Sequence, residues 1–324
     1  MPNAIRLHST GGPDVMRFES VDPGKPRAGQ VLIKQTAIGL NYIDVYDRTG
    51  LYPMPMPGGV GREAAGFVLA VGPKVRGFKP GDRVAYVLNG TGAYCEVRNV
   101  PADRLVKLPK GVSNEQAAVL MLKGLTAHYL IRRTHRVKQG DTILVYAAAG
   151  GVGLILTQWA RSLGARVIGV VGSNAKAALA KKAGCQHVLL QDRKDLAAAV
   201  KKLTKGVGVD VVYDSIGKDT FLTSLDCLRP RGLMVTYGNA SGPVPSMSVM
   251  ELTKRGSLFL TRPSLFAYIA ARKDLDAAAR ETFAALKAKR FKLQINQRYA
   301  LADAAKAHRD LEARKTTGAT VLLP

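Results

Sequence analysis

Asp141-Thr142-Ile143-Leu144-Val145-Tyr146-Ala147-Ala148-Ala149-Gly150-Gly151-Val152-Gly153 is the stretch on which the fold of this chain turns. A strand of buried character runs into a glycine-rich turn. Behind it Val152, Ile155, Leu156, Trp159, Ala160 and Leu163 recur at helical spacing. Working outward, residues 166–171 read as a second strand and 175–183 as a second helix. Strands at 187–190 and 209–214 continue the alternation, with a helix over 195–205 between them. Two more strands fall at 233–237 and 257–261. Six strands alternating with helical segments predict an α/β domain with a doubly wound parallel sheet. Residues 1 to about 120 have a different rhythm: strand candidates at 30–38 and 65–72, then a Lys79-Pro80-Gly81-Asp82 turn into a third strand. Short strands and turns of this kind suggest a small β-rich barrel or sandwich. After Pro263 a helix over 275–286, a strand at 293–295, a helix over 302–314 and a last strand at 320–322 complete the chain.

The composition agrees with a globular protein of two domains. Of 324 residues, 47% are hydrophobic and 22% charged, enough apolar material for a sizeable core. No run approaches the ~18 apolar residues that cross a bilayer. Residues 1–6 lack the pattern of a secretory signal. The three cysteines, Cys95, Cys185 and Cys227, are too scattered for a disulfide framework or a metal cluster, so a cytoplasmic protein is expected. Lys plus Arg number 48 against 24 Asp plus Glu, a formal charge of +24. Such an excess attracts polyanions such as RNA non-specifically, although the basic residues are scattered and an overall compositional bias explains them as well.

The turn after Tyr146 stands where a dinucleotide pyrophosphate docks. Glycines let the backbone approach the phosphates, and the helix N-terminus offers free amides and a favourable dipole. Gly150, Gly151, Val152 and Gly153 are the candidate cradle, although Ala148 replaces the first glycine of the usual pattern and a ligand-free turn is the plain alternative. NAD-specific folds place an acid ~20 residues beyond the turn to accept from the ribose hydroxyl. Here that window, Val170-Val171-Gly172-Ser173-Asn174-Ala175-Lys176, has none. Ser173 and Lys176 can hold a 2′-phosphate instead. Each charge-assisted hydrogen bond contributes ~1.5–3 kcal/mol, which points to NADPH.

These motifs, together with Asp210-Val211-Val212-Tyr213-Asp214-Ser215-Ile216-Gly217, residues 231–239, Leu260-Thr261-Arg262-Pro263-Ser264-Leu265, Leu40-Asn41-Tyr42-Ile43-Asp44 and Leu122-Lys123-Gly124-Leu125-Thr126-Ala127, resemble the NADPH:quinone oxidoreductases. These are the zeta-crystallin-like branch of the medium-chain dehydrogenase/reductases, and the similarity runs nearly end to end. The resemblance implies a GroES-like catalytic domain from residues 1–122 and 265–324, with a Rossmann NADPH-binding domain, 123–264, inserted between. It implies a homodimer, with the last Rossmann strand near Ser257 to Thr261 pairing across the interface. It places the adenosine 2′-phosphate near Gly172, Ser173 and Lys176, with Arg314 as a further partner. Asn41, Tyr46, Tyr129, Tyr237, Gly238, Ser241, Thr261 and Arg262 fall on the nicotinamide side. The family often has a tyrosine near the adenine where this chain has Gln191, which puts ring stacking there in question.

Zinc alcohol dehydrogenases share the implied fold and hold a catalytic zinc with Cys and His. At the corresponding motifs this chain has Asn41, Arg62 and the segment Leu122-Lys123-Gly124, so no metal is expected. Reducing a simple ketone by hydride makes an alkoxide whose conjugate acid has a pKa near that of water, ~16. Reducing a quinone makes a phenolate-like oxyanion, nearer the ~10 of tyrosine. Those ~6 units relieve the protein of ~8 kcal/mol of charge stabilisation, so an electron-poor conjugated acceptor can do without a Lewis acid. The expected activity is therefore zinc-independent quinone reduction with NADPH, by hydride or one-electron transfer. Asn41, Tyr46, Tyr52 and Lys123 are candidate donors or pocket walls. An alkenal or enone reductase on the same fold and an RNA-binding or structural crystallin-like protein are the alternatives.

Overall fold

The computed structural model describes all 324 residues. They form two compact units, one made of Met1–Leu125, Tyr268–Lys287 and Leu293–Pro324, the other of Thr126–Ala267 and Ala288–Lys292. The chain begins with β1 (Asn3–Leu7), β2 (Met16–Ser20), β3 (Gln30–Leu40), α1 (Tyr42–Thr49), β4 (Gly58–Gly59), β5 (Glu63–Val71), β6 (Arg83–Val87), β7 (Val97–Pro101), β8 (Leu105–Lys107) and α2 (Asn114–Tyr129). Then β9 (Thr142–Tyr146), α3 (Gly151–Ser162), β10 (Arg166–Val171), α4 (Asn174–Lys182), β11 (His187–Leu190), α5 (Leu196–Leu203) and β12 (Val209–Asp214) alternate strictly. They are followed by α6 (Phe221–Asp226), β13 (Leu228–Thr236), α7 (Met250–Lys254) and β14 (Phe259–Thr261). The last elements are α8 (Leu265–Tyr268), α9 (Arg272–Lys287), β15 (Ile295–Ala300), α10 (Ala304–Glu312) and β16 (Ala319–Leu323).

The first unit carries a three-stranded sheet, β2-β1-β4, and a seven-stranded one ordered β15-β16-β3-β5-β6-β8, with β7 also paired to β3. Its long strand β3 shows the period of two that a sheet requires. Val31, Ile33, Gln35 and Ala37 point into the core while Leu32, Lys34 and Thr36 do not. Ile33 and Val31 pack with Ile5, Leu7, Val68, Val84 and Tyr86. Gln35, the polar member of the buried row, donates to the Ala93 carbonyl at 2.8 Å and accepts from the Tyr86 hydroxyl. The strand expected at 293–295 instead runs over Ile295–Ala300. Its residues alternate half-buried with exposed and are mostly polar, as suits the end strand of a sheet, so no apolar run marks it.

The second unit is built on a six-stranded sheet ordered β11-β10-β9-β12-β13-β14, with every neighbouring pair parallel. All five residues of β9 are buried, as a strand covered on both faces demands, whereas the end strands β11 and β14 are not. Leu144 and Tyr146 pack with Ile168, Val170, Val212, Leu225 and Met234 in the core. The order reverses at β9, next to which β10 and β12 lie on either side, and this switch point is where such sheets bind ligands.

Candidate coenzyme and active site

The turn beyond β9 is tight and rich in glycine. Ala147 adopts φ +49°, a left-handed conformation uncommon for a residue with a side chain. Its carbonyl accepts from Gly150 N–H at 2.8 Å, and Ala148 N–H donates to Val170 O at 3.1 Å. Gly150 caps α3 in extended conformation, and the first backbone bond of that helix runs from Leu154 N–H to Gly150 O. The amides of Gly151, Val152 and Gly153 precede that bond and have no helical acceptor, which leaves them to a ligand. A Cβ on Gly153 would lie 2.2 Å from Ala147 O and 2.8 Å from Ala148 Cα, so only glycine lets the helix close this tightly on the turn. Three unclaimed amides at the positive end of a twelve-residue helix fit the pyrophosphate of a nicotinamide dinucleotide.

At the end of β10, a Cβ on Gly172 would meet nothing within 4 Å, and Ser173 caps α4 with its hydroxyl oxygen accepting from Lys176 N–H at 3.4 Å. The Ser173 proton is still available to a phosphate. Lys176 is half-buried on the first turn of α4, and Gln191 follows β11 with its N–H donating to Val171 O at 2.9 Å. At the carboxyl ends of the next strands, Gly238 packs so closely that a Cβ would stand 2.4 Å from Ser215 O. The Ser241 hydroxyl accepts from Asp219 N–H and donates to Ile216 O, both at 3.0 Å. Tyr237 and Thr261 are half-buried, Tyr129 is buried, and exposed Arg262 donates to Thr236 O at 2.9 Å. One organising residue was not singled out from the sequence. Asp214, fully buried at the end of β12, accepts from Ile216 and Gly217 N–H and from the hydroxyls of Thr220 and Ser224, at 2.7 to 3.2 Å. It fixes the loop of the Asp214-Ser215-Ile216-Gly217 motif. The spacing of Thr220 and Ser224 behind it was the available signal.

In the first unit Asn41 starts α1, its N–H donating to the Asp44 carboxylate at 2.8 Å, and Gly50, at φ +83°, ends it. Tyr42, Tyr46 and Tyr52 form an aromatic run with neighbouring ring centroids 5.5 and 5.3 Å apart. The Asn41 carboxamide is held from three sides. Nδ2 donates to Glu63 Oε1 at 2.8 Å and Gly39 O at 3.4 Å, and Oδ1 accepts from Lys123 Nζ at 2.7 Å. Lys123 Nζ also reaches Leu40 O at 2.9 Å and Glu63 Oε1 at 3.3 Å. An ammonium has three protons, and these three acceptors use them. The Lys123 ammonium is thus paired with acceptors of the protein itself. Burial raises the Glu63 pKa, against the pull of the Lys123 ammonium and the Asn41 amide. Arg314 is exposed beyond α10 at φ +58°, with its N–H on Leu311 O at 3.0 Å.

Zinc does not fit this donor set. Arg62 forms a two-pronged ion pair with Asp47, Nε to Oδ2 at 2.8 Å and Nη2 to Oδ1 at 2.6 Å, while Nη1 donates to Asn89 O. No three His, Cys, Asp or Glu side chains come together as a metal site.

A parallel sheet with a glycine-turn cradle, joined in one chain to a β-rich unit, is the architecture of a medium-chain dehydrogenase/reductase. Residues 27–110 match the alcohol dehydrogenase GroES-like domain, and residues 151–281 match the zinc-binding dehydrogenase family. The quinone oxidoreductase of Pseudomonas aeruginosa is 49% identical over all of both chains, and the 2-haloacrylate reductase of a Burkholderia species is 47% identical over 100% of this chain and 99% of its own. The crystal structure of Escherichia coli quinone oxidoreductase complexed with NADPH superimposes with a TM-score of 0.97 at 46% identity, covering 99% of this chain and 100% of that one. The chain belongs to the quinone oxidoreductase family.

Proposed function

We propose that the chain is an NADPH-dependent quinone reductase that works without zinc, by hydride or one-electron transfer. The observation that carries this is the pairing of three unclaimed helix amides with a strand end that bears no acid; within the other unit, Arg62 is paired with Asp47 and no metal-ligand set is present. The amides of Gly151 to Gly153 hold the pyrophosphate, with Gly150 as the cap that exposes them. Ser173 and Lys176, with Gly172 leaving room, take the 2′-phosphate, and Arg314 adds charge to it. Asn41, Tyr129, Tyr237, Gly238, Ser241, Thr261 and Arg262 serve the nicotinamide side, and Gln191 the adenine side. When bound, the reduced nicotinamide supplies the hydride. Tyr46 and Tyr52 wall the acceptor, and a hydroxyl donor such as Tyr46 is enough for a phenolate-like oxyanion, since the charge to be stabilised is small. Protons come finally from water. A panel of 1,4-benzoquinone, 9,10-phenanthrenequinone and 2-alkenals, each with NADPH and NADH, tests this: the quinones with NADPH should give the highest kcat/KM. Equal rates with NADH would overturn the coenzyme assignment.

A second reading is an enone-type reductase acting on electron-poor alkenes. The 47% identity to a 2-haloacrylate reductase favours it, and the same panel decides, because faster turnover of alkenals would select it.

The protein is further proposed to be a homodimer. Strand β14 is a sheet edge on which Phe259 is 61% and Leu260 40% exposed, and an open edge of this kind calls for a partner strand. Exposed Arg136, Lys138, Arg166, Lys202, Lys205 and Arg231 sit towards the amino ends of the parallel strands, the end away from the glycine turn. That distribution supports non-specific RNA or polyanion binding, or a structural role, as a secondary property. No helix is long and apolar enough to cross a membrane. Three buried, unbridged cysteines suit the reducing cytoplasm.

A further inference from the structure

We infer that Glu63 and Lys123 form a buried charge pair whose task is to lock the carboxamide of Asn41 in one orientation, which makes both of them positioning residues. This rests on the assignment of Asn41 to the nicotinamide side.

The geometry leaves the amide a single state. Lysine only donates and a carboxylate only accepts. With Oδ1 on Lys123 Nζ at 2.7 Å and Nδ2 on Glu63 Oε1 at 2.8 Å, a half-turn of the amide would set its NH2 against the ammonium and its oxygen against the carboxylate. The pair itself is held from outside. Glu63 Oε2 accepts from Leu122 N–H, and Lys123 Nζ donates to Leu40 O. The side chains of Glu63 and Lys123 are 0% and 7% exposed, so little water competes with this arrangement.

Independent of the hydrogen bonds, the backbone makes room for it. A Cβ on Gly39 would lie 2.2 Å from Glu63 Oε1 and 2.6 Å from Ala118 O, so glycine at 39 is what admits the carboxylate. Burying a charge pair is costly, and a pair of well-packed apolar residues is often at least as stable. Its presence here is explained by the fixed amide rather than by stability. The lock decides which way the amide faces at the start of α1, where Asn41 and Asp44 form a capping box.

The test uses the full-length enzyme and the Glu63→Gln/Lys123→Met double variant, which removes both charges and leaves an acceptor for Asn41 Nδ2. Stopped-flow reduction of 1,4-benzoquinone with NADPH and with NADPH deuterated at the transferred position reads hydride transfer. Binding of 2′,5′-ADP reads the adenosine end alone. The double variant should transfer hydride at least tenfold more slowly, with 2′,5′-ADP affinity unchanged within twofold. Asn41→Ala should show a similar loss, and the triple variant should be no slower than Asn41→Ala, because residues acting through one group are not additive. A double variant within twofold of wild type, while Asn41→Ala is slow, overturns the inference and spares the assignment of Asn41. Unchanged hydride transfer in Asn41→Ala overturns that assignment, and the inference with it. Should the double variant not fold, hydrogen exchange of the Asn41 carboxamide protons in the wild-type protein decides. Protection supports the lock, and exchange as fast as that of exposed Asn174 overturns it.

Discussion

Replacing Gly153 by alanine is the smallest change that should disable the coenzyme cradle. The new Cβ would stand 2.2 Å from Ala147 O, which is 1.2 Å inside the 3.4 Å at which ordinary contact begins. Ala147 cannot easily give way. Its backbone is already left-handed at φ +49°, its carbonyl is bonded to Gly150 N–H, and Ala148 Cα stands only 2.8 Å from the same Cβ. The turn and the start of α3 must therefore separate by about 1 Å. Overpacking of this kind costs roughly 1–3 kcal/mol of stability. A displacement of ~1 Å in a group that positions a reactant can lower the rate by ~100-fold. NADPH affinity followed by nicotinamide fluorescence, with unfolding by urea, measures both effects. Gly90→Ala is the control, because its Cβ would meet nothing within 4 Å. A Gly153→Ala protein that binds NADPH within twofold of wild type would refute the assignment of this turn to the pyrophosphate.

Three further outcomes are expected. Ser173→Ala/Lys176→Ala should weaken NADPH by ~10- to 10,000-fold, from one or two charge-assisted bonds of ~1.5–3 kcal/mol each, and leave NADH unchanged, as steady-state KM values will show. Asp44 and His308 should act oppositely on stability against pH. Burial, with Asp47 nearby, raises Asp44 to about 7, so its folded form binds the extra proton and stability is lost as pH rises from about 4 to 7. Burial, with Arg48 nearby, lowers His308 to about 3, so the unfolded form binds the extra proton and stability is gained as pH rises from 3 to about 6.5. Tm scans should therefore show Asp44→Asn with a more positive pH slope than wild type and His308→Gln with a more negative one; identical slopes would count against both shifts. Arg62→Met should destabilise the protein by ~3–5 kcal/mol in urea, because it strands buried Asp47, and adding Asp47→Leu should recover part of that.

How much of this was legible in the sequence depended on whether a local pattern existed. Strands β10, β11 and β12 fall on the residues expected for them, since each is an apolar run bounded by turn residues or a helix. The glycine turn was legible because strand, turn and helix are consecutive. Strand β15 was misplaced because an alternating polar strand resembles a loop. Helix α1 was not foreseen, although Asn41 and Asp44 begin it, because its apolar face is carried by tyrosines and buried charges such as Arg48. Lys123 was picked out from the sequence as a candidate site residue, but its partners were not legible there. Its acceptors come from Leu40, Asn41 and Glu63, far off in sequence and brought together only by the fold. Glu63 and Asp214 were passed over for the same reason: a buried carboxylate declares its purpose only through its partners.

The most direct measurement is a single-turnover reaction of the purified enzyme with deuterated NADPH and 1,4-benzoquinone in the presence of a strong zinc chelator. The structure predicts complete reduction of the quinone, a primary deuterium isotope effect if the transfer is by hydride, and a rate that neither chelator nor added zinc alters. A rate abolished by the chelator and restored by zinc would contradict it.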